Sequence, residues 1–436
     1  MVSIYSRELY VAERETGAMV RRFRNESCDA INPITDGIEG DQVTAVETAC
    51  SNPISLVYGP PGTGKTTTVR RIVQSFDMAG MKGIIAAPTG KASKRSDEVL
   101  AGIDYYNRPE CSTTFRHLGF KAGKYEYNFH KKLPIDYVIA EEKSMLDLLQ
   151  FRNLLYAIDP KVTRLVGVGD PYQLPSIGPG NILYDLILSG KIPKTELTKV
   201  YRQGKDSGII HNARKILSGQ LPDKEHPETG VKFDDFFFVS TKDEEESLGY
   251  IIDWVTNKIP AKFGFDPTMD IQVLSPGKQS TVGTDNLNQQ LRQRLNGTGK
   301  VGYRGFRVGD KVINKKNRYD YGIVNGDVGK VVEVGDTGMR IDFGPGVGAV
   351  DIEKDMGDSI FLAYAYTIHS SQGSEYPCCI IPVHRCHWRL LFQNLIYTGM
   401  TRAKKLCMFV GDHQAFQHAI ENTVTDKRRT GLRNWI

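Results

Sequence analysis

The fold class this sequence predicts is α/β: two parallel-sheet cores in tandem, with a short hairpin inserted in the first and a small antiparallel barrel in the second. Three observations predict it. Short apolar strands alternate with helical stretches from Asp41 to about Pro193, the pattern of a parallel sheet covered by helices on both faces. The alternation returns after Tyr201-Arg202-Gln203. Residues from about 300 to 358 break it, with short alternating strands separated by the turn signals Asn325-Gly326 and Asp336-Thr337-Gly338.

In chain order, residues 1–38 predict a helical extension whose Arg21, Arg22 and Arg24 form a solvated face. The first core is expected over 39–195, with strands at 54–58, 83–87, 135–140 and 164–168. Strand-like alternation on each side of Ala122-Gly123 predicts a hairpin at about 118–132. The second core is expected over 196–298 and 359–436, with strands at 271–274, 361–366, 378–383 and 406–410, and the barrel over 299–358. A chain of 436 residues is too long for one core. Its net charge of +5, from 56 basic and 51 acidic residues, permits a nucleic-acid groove without showing one. No apolar run reaches the ~20 residues of a membrane helix, and the start, Met1 to Arg7, lacks the apolar core of a signal peptide. A soluble cytoplasmic protein is expected. Seven scattered cysteines without a CxxC are read as reduced thiols. Zinc on two of them, Cys379 and Cys386, together with His384 and His387, is the competing reading.

The chemistry starts at Gly59-Pro60-Pro61-Gly62-Thr63-Gly64-Lys65-Thr66-Thr67, of the form G-x-x-x-x-G-K-T, which follows the apolar run 54–58 and precedes helix formers. In that context the glycines let backbone N–H groups turn toward a β-phosphate, and the following helix N-terminus adds positive charge. Lys65 would bridge the β- and γ-phosphates, and the Thr66 hydroxyl would ligate magnesium. ATP and Mg²⁺ are the expected cofactors. Glu141-Glu142 ends the strand pattern 135–140, the edge where ligand groups collect in open α/β sheets. Glu141 is assigned to magnesium, through water, and Glu142 to the attacking water. After the strand 164–168 comes Asp170-Pro171-Tyr172-Gln173, and Gln173 could reach the γ-phosphate. Arg202 and Arg402 lie outside the first core and are read as arginine fingers, with surface ion pairs as the other reading.

Taken in order from about Gly40 to Asp412, these segments resemble the superfamily-one helicases, and most of all their RecD-like and Dda-like 5′-to-3′ group (SF1B). The resemblance implies two RecA-like cores, an SH3-like barrel and one ATP shared between the cores. It implies that Gln42 reads adenine, Tyr201 stacks on it with Arg202 alongside, and Gly373 and Glu375 approach the ribose side. Pro88, Thr89 and Lys91, Thr113 and Thr114, and His369 match segments that grip single-stranded DNA. The hairpin at about 118–132 would be a wedge, offering Phe120, Tyr125, Tyr127 and Phe129 to a terminal base pair; aromatics that merely pack the hairpin are the alternative. The implied partners are single-stranded DNA and single/double-strand junctions, with replication or recombination proteins as candidates. A monomer in a bacterial cytoplasm, or of phage origin, is expected. Two departures stand out: Glu141-Glu142-Lys143-Ser144 where the family has Asp-Glu-Ala-Ser, and Arg116-His117 where it tends to His-Arg. The competing functions are an RNA or RNA–DNA helicase, and an ATP-binding, hydrolysis-impaired loading subunit.

Overall fold

The computed structural model describes residues 6–201, 207–423, 428 and 430–436. They form two compact units, the first holding the chain up to Tyr201 and again from Arg428 to Ile436, the second Ser207 to Thr423.

The first unit is built on strands β1 (Ile54–Tyr58), β2 (Gly83–Ala87), β3 (Glu110–Thr113), β4 (Tyr137–Ala140), β5 (Arg164–Gly169) and β6 (Lys194–Glu196), in the spatial order β3-β2-β4-β5-β1-β6. All five neighbouring pairs run parallel. β1, β4 and β5 are buried at every residue, as a sheet covered on both faces requires. Along them the side chains alternate between two cores. Ile54, Leu56, Val138 and Leu165 face one side, packed with Phe151, Leu154, Leu183 and Leu186. Val57, Ile139 and Val166 face the other, with Ala45, Val46, Val69, Ile72 and Phe76. The helices of this unit are α1 (Arg7–Asn25), α2 (Asp41–Ser51), α3 (Lys65–Met78), α4 (Gly90–Leu100), α5 (Thr114–His117), α6 (Leu148–Ala157) and α7 (Ile182–Ser189).

The second unit carries a five-stranded parallel sheet of β7 (Phe236–Ser240), β8 (Ile271–Ser275), β14 (Ala365–Thr367), β15 (Tyr376–Val383) and β16 (Ala403–Gly411), ordered β14-β8-β15-β16-β7. Between β8 and β14 the chain makes an antiparallel sheet of β9 (Lys311–Asn314), β10 (Val328–Val334), β11 (Met339–Asp342), β12 (Ala349–Ile352) and β13 (Ile360–Leu362). It closes over its own apolar core of Phe306, Val312, Val331, Ile341 and Ile352.

Five expectations need correction. The strand read at 361–366 is two: β13 pairs with β9 in the barrel, and β14 with β8 in the core. The Gln272 amide donates to the carbonyls of Ala363 and Tyr364, at 3.1 Å each, which fixes the break between them. The hairpin at 118–132 has no strands. Ala122 (φ 47°) and Gly123 (φ 80°) do make a tight turn, but it carries a single bridge, Lys121 to Lys124. The amides of Glu126 and Tyr127 both turn away to the Leu118 carbonyl, so no ladder propagates.

The boundary at 195/196 falls inside the first unit, because β6 pairs with β1 and the Tyr201 amide donates to the Gly62 carbonyl. Nor does the end of the chain belong to the second core. Leu432 and Ile436 are buried in the first unit's core beside Phe23 and Leu186. Arg21, expected in solvent, donates to the Trp435 carbonyl and Arg24 to that of Ile436. Glu13 accepts from the Gly431 amide at 3.0 Å, and the Thr430 hydroxyl lies 3.0 Å from Glu13 and 2.9 Å from Asp185. The tail therefore completes the fold it returns to.

Leu432→Ala should cost about 2–5 kcal/mol, the price of a buried leucine truncated in a core that cannot collapse around it. Urea unfolding followed by amide exchange should show the loss on β1–β6. Unchanged protection there would mean that the tail contributes no stability.

Candidate nucleotide and polynucleotide site

In the first unit the phosphate loop, the glutamate pair, Gln173, Thr89, Thr113 and Thr114 stand at or just beyond strand ends, whereas Gln42 lies in α2. β1 runs into the glycine loop, where Gly62 and Gly64 both adopt φ 80° and α3 begins at Lys65. That left-handed backbone is open to glycine at no steric cost. It is also required by space: a Cβ on Gly64 would lie 2.0 Å from Gln42 Nε2, and one on Gly59 2.5 Å from the Leu197 carbonyl oxygen. The Lys65 ammonium donates to the carbonyls of Gly59 (2.6 Å) and Pro60 (2.8 Å), folded back over the loop's first turn. The Thr63 hydroxyl ties the same turn by donating to the Pro60 carbonyl at 2.8 Å. Thr66 and Thr67 lie in the first turn of α3, Thr67 exposed.

The two residues assigned to the adenine do meet this loop. Gln42 donates to the Gly64 carbonyl at 3.3 Å, and the Tyr201 ring lies within 3.6 Å of where a Gly64 Cβ would stand. Tyr201 is 42% exposed, leaving a face for a stacked base, and Lys199 sits 5.2 Å from its ring centre. Arg202 lies outside the described residues.

At the end of β4 the two glutamates diverge. Glu142 takes a left-handed backbone (φ 46°, ψ 43°), costly for a residue with a Cβ. Glu141 turns its carboxylate to the Ser96 hydroxyl of α4. Desolvation raises the Glu141 pKa to about 7, against the lowering pull of Ser96 and with a further push from Glu142. Lys143 is the surprise. Its side chain is wholly buried, its Nζ lies 4.2 Å from the Phe151 ring centre, and it has no hydrogen-bond partner. Burial alone lowers its pKa to about 7. Gly167 makes the room: a Cβ there would stand 2.8 Å from that Nζ. The cation expected beside the carboxylates is thus turned into the core.

Beyond β5, Asp170 accepts from the Gln173 amide side chain (3.2 Å) and from the Tyr172 backbone (3.0 Å). Gln173 is buried and held by this turn. The donor set for a metal, the Thr66 hydroxyl and the Glu141 carboxylate, is hard oxygen. Among the described residues no three His, Cys, Asp or Glu side chains gather around a point. Such a site fits magnesium, which keeps waters and substrate phosphates for most of its ligands.

The proposed strand contacts follow β2 and β3. Thr89 caps α4, its hydroxyl accepting from the Ala92 amide at 3.2 Å, and Pro88 and Lys91 are half-buried beside it. Thr113 caps α5, and the Thr114 hydroxyl donates to the Ala87 carbonyl at 3.3 Å; both threonines are buried. His117 points inward to the Ile85 carbonyl (3.1 Å), whereas Arg116 is exposed, so the inverted Arg-His pair leaves the arginine outside. In the segment 118–132, Phe120 (42% exposed) packs on Tyr125 at 4.8 Å and on Phe115 at 5.3 Å, while Tyr125 and Tyr127 rest on the core.

In the second unit, Arg402 is buried, its guanidinium donating to the carbonyls of Thr398 (3.1 Å) and Ser374 (3.2 Å). Glu375 lies 3.7 Å from Lys404, Gly373 turns at φ 74°, and His369 is exposed. The zinc reading falls away. Cys379 is buried in β15 opposite Cys407, and His384 is 2.6 Å from the Ser247 hydroxyl. Sequence reasoning missed Ser96 and Asp170. Ser96 had a signal, since Ser93, Ser96 and Leu100 form one helical stripe that reads apolar in an ordinary core-facing helix.

Comparison with known proteins agrees with this geometry. The AAA domain family matches residues 37–229, the UvrD-like helicase C-terminal domain 362–410, and the ATP-dependent RecD-like DNA helicase SH3 domain 287–343. The RecBCD enzyme subunit RecD of Mycolicibacterium smegmatis is 31% identical over 421 residues, covering 90% of this chain and 74% of its own. The chain belongs to the RecD-like helicases of superfamily one. The ATP-dependent RecD2 DNA helicase of Deinococcus radiodurans is 29% identical over 386 residues, and this chain spans half of its length (50%) and 88% of its own. The Pif1 helicase of Candida albicans shares the fold with a TM-score of 0.54 at 18% identity, over 89% of this chain and 98% of that one. Pif1 from Bacteroides, solved with ADP-AlF3 and single-stranded DNA, gives 0.52 at 19%, over 84% and 90%.

Replacing Lys143 with methionine should stabilise the metal-free, nucleotide-free protein. A lysine whose pKa falls from 10.5 to about 7 on folding carries a penalty that is full below pH 7 and vanishes as pH approaches 10.5. The gain in Lys143→Met should therefore be about 1–4 kcal/mol at pH 6 and should shrink toward pH 10. A pH-independent difference in melting would contradict this.

Proposed function

We propose that this chain is an ATP-driven motor that moves 5′ to 3′ along single-stranded DNA and opens duplex ahead of it. The observation that carries the reading is the row of strand ends in the first unit. Phosphate loop, carboxylate pair and Gln173 adjoin on β1, β4 and β5, and the strand-contact segments follow β2 and β3 along the same edge.

In this mechanism the amides of Gly62 to Thr66 and the Lys65 ammonium bind the β- and γ-phosphates. Gln42 and Tyr201 orient the base. Glu142 accepts a proton from the water that attacks the γ-phosphorus, and Gln173, released from Asp170, reports whether that phosphate is present. Magnesium on Thr66 and Glu141 would neutralise the phosphate charge. Arg402 and Arg202 serve as fingers for the charge that builds on the γ-phosphoryl oxygens. For Arg402 this requires exchanging the Thr398 and Ser374 carbonyls for phosphate. Strand contacts to the sugar-phosphate backbone are sequence-independent and weaken with salt. The cluster Phe115, Phe120 and Tyr125 is the apolar surface offered to a terminal base pair, on a tight turn rather than a hairpin. Against a hydrolysis-impaired subunit stands Lys143, which is turned under Phe151 and so places no cation beside Glu142.

Glu142→Gln should lower kcat for ATP hydrolysis by about 10²–10⁴-fold while ATP binding persists. A variant as active as the wild type would remove Glu142 from the chemistry. Duplexes with a 5′ single-stranded tail should be unwound and those with a 3′ tail should not. Phe120→Ala with Tyr125→Ala should keep DNA-stimulated hydrolysis and lose unwinding. Preference for the 3′ tail would reverse the polarity, and loss of both activities in the double variant would make the aromatics packing alone.

A further inference from the structure

Helix α4 begins at the proposed polynucleotide contacts and ends its second turn at a metal carboxylate. Thr89 caps it, Lys91 stands in its first turn, and Ser96 lies on its buried face. The Ser96 hydroxyl meets both the Ala92 carbonyl, at 3.0 Å, and Oε2 of Glu141. Ala92 is the residue whose amide Thr89 caps. Thr89, Ala92, Ser96 and Glu141 are thus linked in succession within the first unit: the Ala92 amide donates to Thr89, the α4 backbone joins that amide to the Ala92 carbonyl, and the single Ser96 hydroxyl proton is shared between that carbonyl and Glu141 Oε2.

The length of Glu141 is what makes the contact. An aspartate at the end of β4 would have a carboxylate about 1.5 Å closer to the backbone, and the extra methylene carries Oε2 across to α4. A carboxylate that ligates a metal, directly or through water, is commonly held by a hydrogen bond on its other oxygen. Ser96 supplies such a bond to Oε2 and leaves Oε1 for the magnesium side. We infer that Ser96 is a positioning residue that links the grip on the polynucleotide to the magnesium carboxylate, so that a strand bound at Thr89 and Lys91 sets, through α4, where Glu141 stands. This rests on the motor reading above. It adds to that reading a route by which DNA stimulates hydrolysis without leaving the first unit.

The full-length chain and its Ser96→Ala and Ser96→Thr variants should be compared in two measurements. The first is the Mg²⁺ concentration at half-saturation for binding a fluorescent non-hydrolysable ATP analogue without DNA. The second is the ratio of ATP turnover with and without oligo-dT. Ser96→Ala should raise the Mg²⁺ midpoint about 10–100-fold and lower the stimulation ratio, and Ser96→Thr, which keeps the hydroxyl, should restore both. An unchanged or lower Mg²⁺ midpoint, or an unchanged ratio, overturns the inference. Equal defects in the Ala and Thr variants also overturn it, since they would report packing of α4. A wild-type protein without DNA-stimulated turnover would instead defeat the motor reading itself.

Discussion

One constraint orders the first unit: in a parallel sheet every strand presents its carboxyl end to the same edge. The apolar stretches of β1, β4 and β5 are buried on both faces, so reactive groups can stand only where those strands stop. The spatial order β3-β2-β4-β5-β1-β6 then fixes who neighbours whom. The segments at the ends of β3 and β2, with Thr113, Thr114, Thr89 and Lys91, occupy one end of the row. The phosphate loop after β1 and Tyr201 after β6 occupy the other. The carboxylates after β4 fall between them. An interaction between polynucleotide and nucleotide within this unit has to pass β4, and that is where Glu141 reaches toward α4.

The same edge explains the unusual composition of the carboxylate loop. A lysine after Glu142 would be expected to stand beside the two carboxylates. It does not, because β5 offers a glycine at position 167 and the side chain passes over it to Phe151. A buried, unpartnered amine is held there at the expense of stability, and its low pKa has desolvation as its only cause. The lysine therefore stands away from the carboxylate edge as a buried, unpartnered amine, a local conflict between sequence and burial.

Much of this was legible in the sequence. The strands at 54–58 and 83–87 were read to the residue, because a buried parallel strand is a continuous apolar run bounded by glycine or proline. The glycine loop stands directly after β1 and Glu141-Glu142 directly after β4, the strand ends at which the sequence pattern puts them. What escaped reading has a common cause. β3 and β6 are short and polar, and the barrel's fifth strand carries no mark that distinguishes its sheet from the next. The expected hairpin had the right turn residues at Ala122-Gly123, but its flanking amides were claimed by Leu118, a partner that alternation cannot reveal. Ser96 and Lys143 show the limit most plainly. Ser96 is a polar residue on a helical face that packs inward, Lys143 a cation in the turn after β4, and the burial of each depends on which element packs opposite.

The tail was the largest misreading, and its physics is instructive. Nothing local marks Leu432 as belonging with α1 and α7, since Thr430 and Glu13 are 417 positions apart. Contacts of that separation are slow to form, because closing so long a loop costs entropy before any contact rewards it. Their value here lies in what they hold. Arg428 donates to the carbonyls of Ser176 (2.8 Å), Gly178 (3.1 Å) and Gly180 (2.9 Å), in the loop that leads from Gln173 to α7. The opposite side of that loop rests on the start of α6, where the Leu148 amide donates to the Pro179 carbonyl. The loop that leads from Gln173 is therefore clamped by residues from both sides of the second unit in sequence. The first unit reaches its finished form only with chain that follows the second.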